Sequence, residues 1–128
     1  MASAANLSAP NVRRLRPPRV LLAMRDRRFM RVTAFLLERR GYPVVQEGGS
    51  NVVDAAHRSR VDVVVVEGET SRGASARLLA ALTGLPTAPG LISIVDGEGD
   101  QVVGVPVLAK WTPVDDLARE IDSAALRQ

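Results

Sequence analysis

Four side chains hold most of the chemistry this sequence offers: Asp26, Glu67, Asp96 and Lys110. They are far apart along the chain, but strands stacked side by side would bring them to one sheet edge. Carboxylates facing a lysine can hold a hard cation, move a proton or form a fixed ion pair. Catalysis would need Glu67 as a general base and Lys110 as its electrostatic partner, at matched distances and with shifted proton affinities. Spacing supplies neither, so a binding protein without enzymatic activity is the expectation. His57, the sole histidine, stands beside Arg58 near the end of a short helical segment, where it caps or faces solvent. GluGlyGlySer at 47–50 and GlyGluGlyAsp at 97–100 permit turns, and neither is a phosphate-cradling glycine loop. Asp96, Glu98 and Asp100 alternate as at the start of a calcium loop, but the continuation and terminal glutamate are missing. Cysteine is absent, which removes thiolate chemistry, disulfides and thiolate-bound metals. No metal and no cofactor are expected.

The elements that must position these groups are short. Val20 to Met24 is an apolar run dense enough for a strand covered on both faces, and Asp26 can cap the helix that follows. Phe29, Val32, Leu36 and Leu37 recur near helical spacing up to Gly41, a stop. Tyr42 to Val45 is a second strand, with Pro43 at its start or on a sheet edge. A short helix from Ser50 or Asn51 to about Ser59 precedes the clearest strand, Val61 and then Val63 to Val66. Ala74 to Leu82 gives another helix, Leu91 to Val95 a fourth strand, and 102–108 contains a fifth. Pro113 to Leu126 forms the last helix, with Thr112 as N-cap and Val114, Leu117, Ile121 and Ala125 along one face. Strand and helix therefore alternate, which predicts a doubly wound parallel α/β sheet.

The 128 residues suffice for one core, and with 46% hydrophobic but only 3% aromatic residues that core must be aliphatic. Residues 1–18 are expected to form a flexible basic arm ahead of a single domain over 19–128. No signal peptide or membrane span is apparent, and a cytoplasmic protein is the simplest expectation. The net charge is only +3, yet ten arginines fall within the first forty residues. Arg13, Arg14, Arg16 and Arg19, joined by Arg25, Arg27, Arg28 and Arg31, could meet nucleic-acid phosphates or an acidic protein, or simply form a solvated surface. Neither a recognition helix nor a stacking motif accompanies them. Trp111 is assigned to packing, where it would fill space left by a short preceding segment; its alternative role is to anchor a partner.

Three segments carry a family resemblance. RVLLAMRD at 19–26, DVVVVEG at 62–68 and AKWTPVDDL at 109–117 resemble three parts of the receiver domain of bacterial two-component response regulators. These are its first strand with the acidic loop, its phosphoacceptor strand, and its lysine-bearing fifth-strand end. The resemblance implies a five-stranded sheet of order 2-1-3-4-5, here with the fourth helix short or missing because Val95 and Lys110 are close in sequence. It also implies a pocket whose chemistry has degenerated. Met24 and Arg25 stand where a magnesium-binding acidic pair is usual, leaving Asp26 as a displaced carboxylate. Glu67 stands at the phosphoacceptor position, Val95 or Asp96 near the usual hydroxyl, and Lys110 matches the lysine. Trp111 replaces a usual proline, and Pro113 comes later. Glu67 can then act as a permanent negative charge or as part of a structural salt bridge with Arg25 or Lys110. The implied function is a phosphorylation-independent regulatory domain acting on a protein partner or on itself as a dimer, any transcriptional effect needing a separate effector. The alternative is a DNA-associated regulator using the arginine-rich region.

Overall fold

The structure, a computed structural model, describes residues 16–48, 51–67, 74–96 and 104–127. In chain order the elements are β1 (Val20–Ala23), α1 (Arg27–Arg39), β2 (Val44–Glu47), α2 (Val52–Arg58), β3 (Val63–Glu67), α3 (Ala74–Thr83), β4 (Gly90–Val95), β5 (Val107–Ala109) and α4 (Val114–Arg127). The strands form one parallel sheet of order β2-β1-β3-β4-β5. Every residue of β1 and β3 is buried, as their unbroken aliphatic sequences require of strands with neighbours on both sides and helices on both faces.

Strand alternation divides the core into two layers. Val20, Leu22, Val63, Val65, Ile92 and Ile94 face α1 and α4, meeting Met30, Leu37, Leu117 and Ile121. Leu21, Ala23, Val64 and Val66 face α2 and α3, meeting Val52, Ala55, Leu79 and Leu82. Gly90 lets α4 approach the sheet closely: a Cβ there would lie 2.7 Å from the Ala124 carbonyl carbon and closer still to its oxygen. Tyr42 is the one aromatic ring within the described core. Its hydroxyl meets Asp122 at 2.9 Å, and burial followed by that carboxylate pushes its pKa up to about 12.

Several boundaries differ from the sequence expectation. β2 begins at Val44 and continues through Glu47, which had been assigned to a turn; as an edge strand it tolerates Gln46 and Glu47. Pro43 precedes it, its carbonyl accepting from the Val20 N–H at 2.9 Å. β5 is shorter and later than 102–108, and residues 102 and 103 lie outside the described residues. So do 97–103, on which the expected short or missing fourth helix falls, residues 1–15 of the expected arm, and Ser50. The buried face of α1 is Met30, Thr33, Ala34 and Leu37. Val32 was assigned to that face and is instead 51% exposed, because two stripes one residue apart both fit helical spacing.

Candidate functional site

In this topology the chain leaves β1 toward one edge of the sheet and β3 toward the other, opening a crevice at their carboxyl ends. Glu67 is the last residue of β3, Met24 to Asp26 follow β1, and Lys110 follows β5. Met24 is buried in the core beneath the loop, which leaves the loop's backbone to face the crevice. Asp26 adopts an extended backbone as N-cap of α1, and its Oδ1 accepts the Phe29 N–H at 3.0 Å.

These residues form a closed set of hydrogen bonds. Glu67 Oε1 accepts the backbone N–H of Arg25 at 2.8 Å and of Asp26 at 3.0 Å. Lys110 Nζ donates to Asp26 Oδ2 at 2.9 Å and to Glu67 Oε2 at 3.4 Å. Glu67 and Lys110 are each only 9% exposed. The ammonium also faces the rings of Phe29 and Trp111, 5.1 and 6.0 Å from their centroids, and those rings meet edge to face at 5.9 Å.

The electrostatics favour three charged groups. Burial pushes the Glu67 carboxyl up, but the N–H groups of Asp26 and Arg25, then the Lys110 charge, outweigh it and hold the group below its ordinary value. Asp26 is lowered chiefly by the Phe29 N–H and then by Lys110. Lys110 is raised, first by its hydrogen bond to Asp26, against a downward pull from burial and with help from Glu67. Two carboxylates and one ammonium leave one surplus negative charge, which the loop N–H groups ahead of α1 and the α1 N-terminus accommodate.

Of the residues singled out by sequence, Asp26, Glu67 and Lys110 come together. Arg25 joins them through its backbone N–H. Val95 ends β4 and is half-buried; Asp96 is exposed and makes none of these contacts. The arginines do not form one face. Arg19 lies at the opposite end of β1, bound to Ser59 and Asp62, whereas Arg25, Arg27, Arg28 and Arg31 are exposed at the crevice end. Arg16 is exposed, and Arg13 and Arg14 lie outside the described residues. His57 is exposed in the last turn of α2. Trp111 departs from its packing assignment: it is 76% exposed, because the turn after β5 swings it over α1 instead of into the sheet. Sequence reasoning missed Phe29 as a wall of the site; its place three residues after the capping Asp26 was the available signal.

The set does not fit the magnesium ion that such a pocket holds in receiver domains. All four oxygens of Asp26 and Glu67 already accept hydrogen bonds, and the Lys110 ammonium sits between the two carboxylates. A magnesium ion needs an octahedron of hard oxygen ligands, and an ammonium in its midst opposes it. Among the described residues no group of three or more His, Cys, Asp or Glu could hold a metal.

No protein-family model matches the sequence, and neither does any curated protein. Solved structures do resemble it. A response regulator receiver domain protein from Bacillus halodurans superposes with a TM-score of 0.68 at 18% identity, over 85% of this chain and 97% of the other. A signal receiver domain from Vibrio parahaemolyticus gives 0.73 at 14% identity, over 86% and 91%. The signal receiver domain of a modulated diguanylate cyclase from Desulfovibrio desulfuricans gives 0.69 at 24% identity, over 86% and 94%. The chain thus has the receiver fold, a five-stranded parallel sheet of order 2-1-3-4-5 flanked by helices. No helix among the described residues is long and apolar enough to cross a membrane.

Proposed function

We propose that this chain is a regulatory module of receiver fold that acts as a fixed binding surface, without a phosphorylation cycle and without catalysis. One observation carries this reading: the anion seat at the crevice is filled by the protein's own Glu67 carboxylate, held by two backbone N–H groups and by Lys110. In a switching pocket those donors must be free to meet an incoming phosphoryl group. Here they are satisfied in the resting chain, so Glu67 serves as a permanent charge, and Asp26 and Lys110 hold the loop and the turn after β5 in one arrangement. Output then depends on which partner meets the surface around Trp111 and α1. The likeness to receiver domains supports a signalling role, which the module exerts on a protein partner or on a second copy of the chain.

Incubation with magnesium and acetyl phosphate tests the proposal directly. The intact mass stays unchanged if the pocket is locked; a stable phosphoryl adduct on Glu67 or Asp26 contradicts it. A second reading, association with DNA, is favoured by the exposed Arg27, Arg28 and Arg31. Salt-sensitive binding to duplex DNA, weakened by reversing those three charges, would establish it.

A further inference from the structure

Between α1 and the turn from β5 into α4 lies a groove of about 380 Å³. It is more than a crease between exposed side chains. Thr33, Ile94 and Leu117 form its floor and are 6%, 2% and 5% exposed, so the groove reaches down beside α1 as far as β4. Phe29 and Trp111 wall it with rings that meet edge to face at 5.9 Å, and Leu36 and Val114 add to the apolar lining. At one non-hydrogen atom for each water's share of liquid, this volume holds about a dozen atoms, near the lower bound of ligand pockets. That is the size of two fused rings with one substituent.

The floor carries a polar group without a partner. A threonine inside a helix can return its hydroxyl to the carbonyl four residues back, as Thr83 does to Leu79 at 2.7 Å. Thr33 makes no side-chain hydrogen bond among the described residues. No enclosed side-chain oxygen or nitrogen among those residues lacks a partner, so the Thr33 hydroxyl is open, and the groove it lines is what it opens onto. A largely buried hydroxyl without a bond costs stability, a cost that a valine of the same shape would not incur. Charge sets a second constraint. Asp26, Arg28 and Lys110 are the charged side chains of the lining, and Lys110 is paired with Asp26 and Glu67. Two carboxylates, one ammonium and one guanidinium cancel, so the mouth of the groove selects neither an anion nor a cation.

We infer that this groove binds a small, flat, uncharged molecule the size of two fused rings, mainly apolar, whose single hydroxyl or carbonyl reaches the Thr33 hydroxyl. The rings enter beside Phe29 and Trp111 and come to rest against Ile94 and Leu117, where apolar surface on both partners leaves water. The polar group supplies the bond that the chain itself does not give Thr33. A protein surface lying flat across the rim would leave that hydroxyl unmet, whereas a flat molecule entering edge-on reaches it. The inference goes beyond the fixed-surface reading above and does not depend on the state of the Glu67 pocket.

The whole chain is titrated at neutral pH with 2-naphthol, and binding is followed by the methyl NMR signals of Thr33, Leu36, Ile94, Val114 and Leu117. Phenol, smaller by one ring, and the charged 2-naphthoate and 2-naphthylmethylammonium serve as comparators. The expected result is saturable shifts at all of these methyl groups with naphthol, and affinities about tenfold weaker for each comparator. Thr33→Val should weaken naphthol binding about tenfold, the worth of one hydrogen bond. Its thermal melting should stay the same or rise, because the hydroxyl makes no bond in the free chain. Leu36→Trp, at a half-buried position of the lining, should fill the groove and abolish binding. Shifts that never saturate and stay confined to Trp111 and Val32 would mark an exposed apolar rim only and overturn the inference. Comparators that bind as well as naphthol, no binding of naphthol, or a Thr33→Val variant that binds as tightly as the parent overturn it equally. Acetyl phosphate labelling reads the Glu67 pocket and the naphthol titration reads the groove, so either proposal fails on its own signal and leaves the other standing.

Discussion

Glu67 is one methylene longer than an aspartate, and that methylene carries its charge from the end of β3 to the N–H groups of Arg25 and Asp26. Glu67→Asp should therefore lose the anchor while keeping the charge, and Glu67→Gln should keep the length while losing the charge. Each is expected to destabilise the fold by about 1–3 kcal/mol in urea unfolding, since both leave a largely buried Lys110 or two buried donors poorly satisfied. A Glu67→Gln variant as stable as the parent would show that the charge contributes nothing. The pH dependence has a defined sign. Glu67 and Asp26 are lowered in the folded state, so their stabilisation is present above their ordinary values of 4.5 and 3.8 and is lost as pH falls through the lowered ones. Lys110 is raised, so its share is complete below 10.5 and lost as pH rises through its folded value. Tyr42, raised to about 12, adds a second loss that begins above pH 10. Stability should be flat across neutral pH and fall on both sides, and Lys110→Met should flatten the alkaline limb. The Asp26 cap was legible in sequence because capping is local. Trp111 was not, because its exposure depends on how a turn swings past a helix distant in sequence.

At the scale of elements, the aliphatic runs specified which strands lie in the middle. Val20 to Ala23 and Val63 to Val66 leave no polar side for solvent, so they had to be central, and they are. Edges were harder: β2 takes Gln46 and Glu47, and β5 is three residues long, so neither shows the pattern of a covered strand. The rotation of α1 was also ambiguous, because Val32 and Leu36 repeat as regularly as Met30, Ala34 and Leu37; only packing against the sheet chooses between them. The same packing makes Gly90 a test of the layer containing α4. Gly90→Ala drives a methyl into the Ala124 backbone and should cost at least ~2 kcal/mol, lowering the urea midpoint. Ala124→Gly should not rescue it, since the obstruction is backbone as well as side chain. Full recovery in the double variant would mean that α4 is free to slide.

Taken whole, the molecule has the receiver fold, with a hydrogen-bonded ion cluster in its crevice. The sheet still gathers the ends of β1, β3 and β5 at one place, which is why Lys110 and Glu67 meet across two intervening strand gaps. What it gathers is a self-contained ion cluster, and Arg27, Arg28, Arg31 and Trp111 stand exposed outside it. The order of elements, and through it the fold, could be argued from sequence; the closure of the pocket could not, because it depends on two backbone N–H groups that no side-chain pattern displays. The most direct test is a backbone amide NMR titration with magnesium and beryllofluoride, an acyl-phosphate mimic, alongside magnesium-only and fluoride-only controls. A locked pocket predicts no saturable shift at the amides of Arg25, Asp26, Glu67 or Lys110. Saturable shifts at those residues, spreading to Trp111 and α4, would contradict the account and return the pocket to a ligand-driven switch.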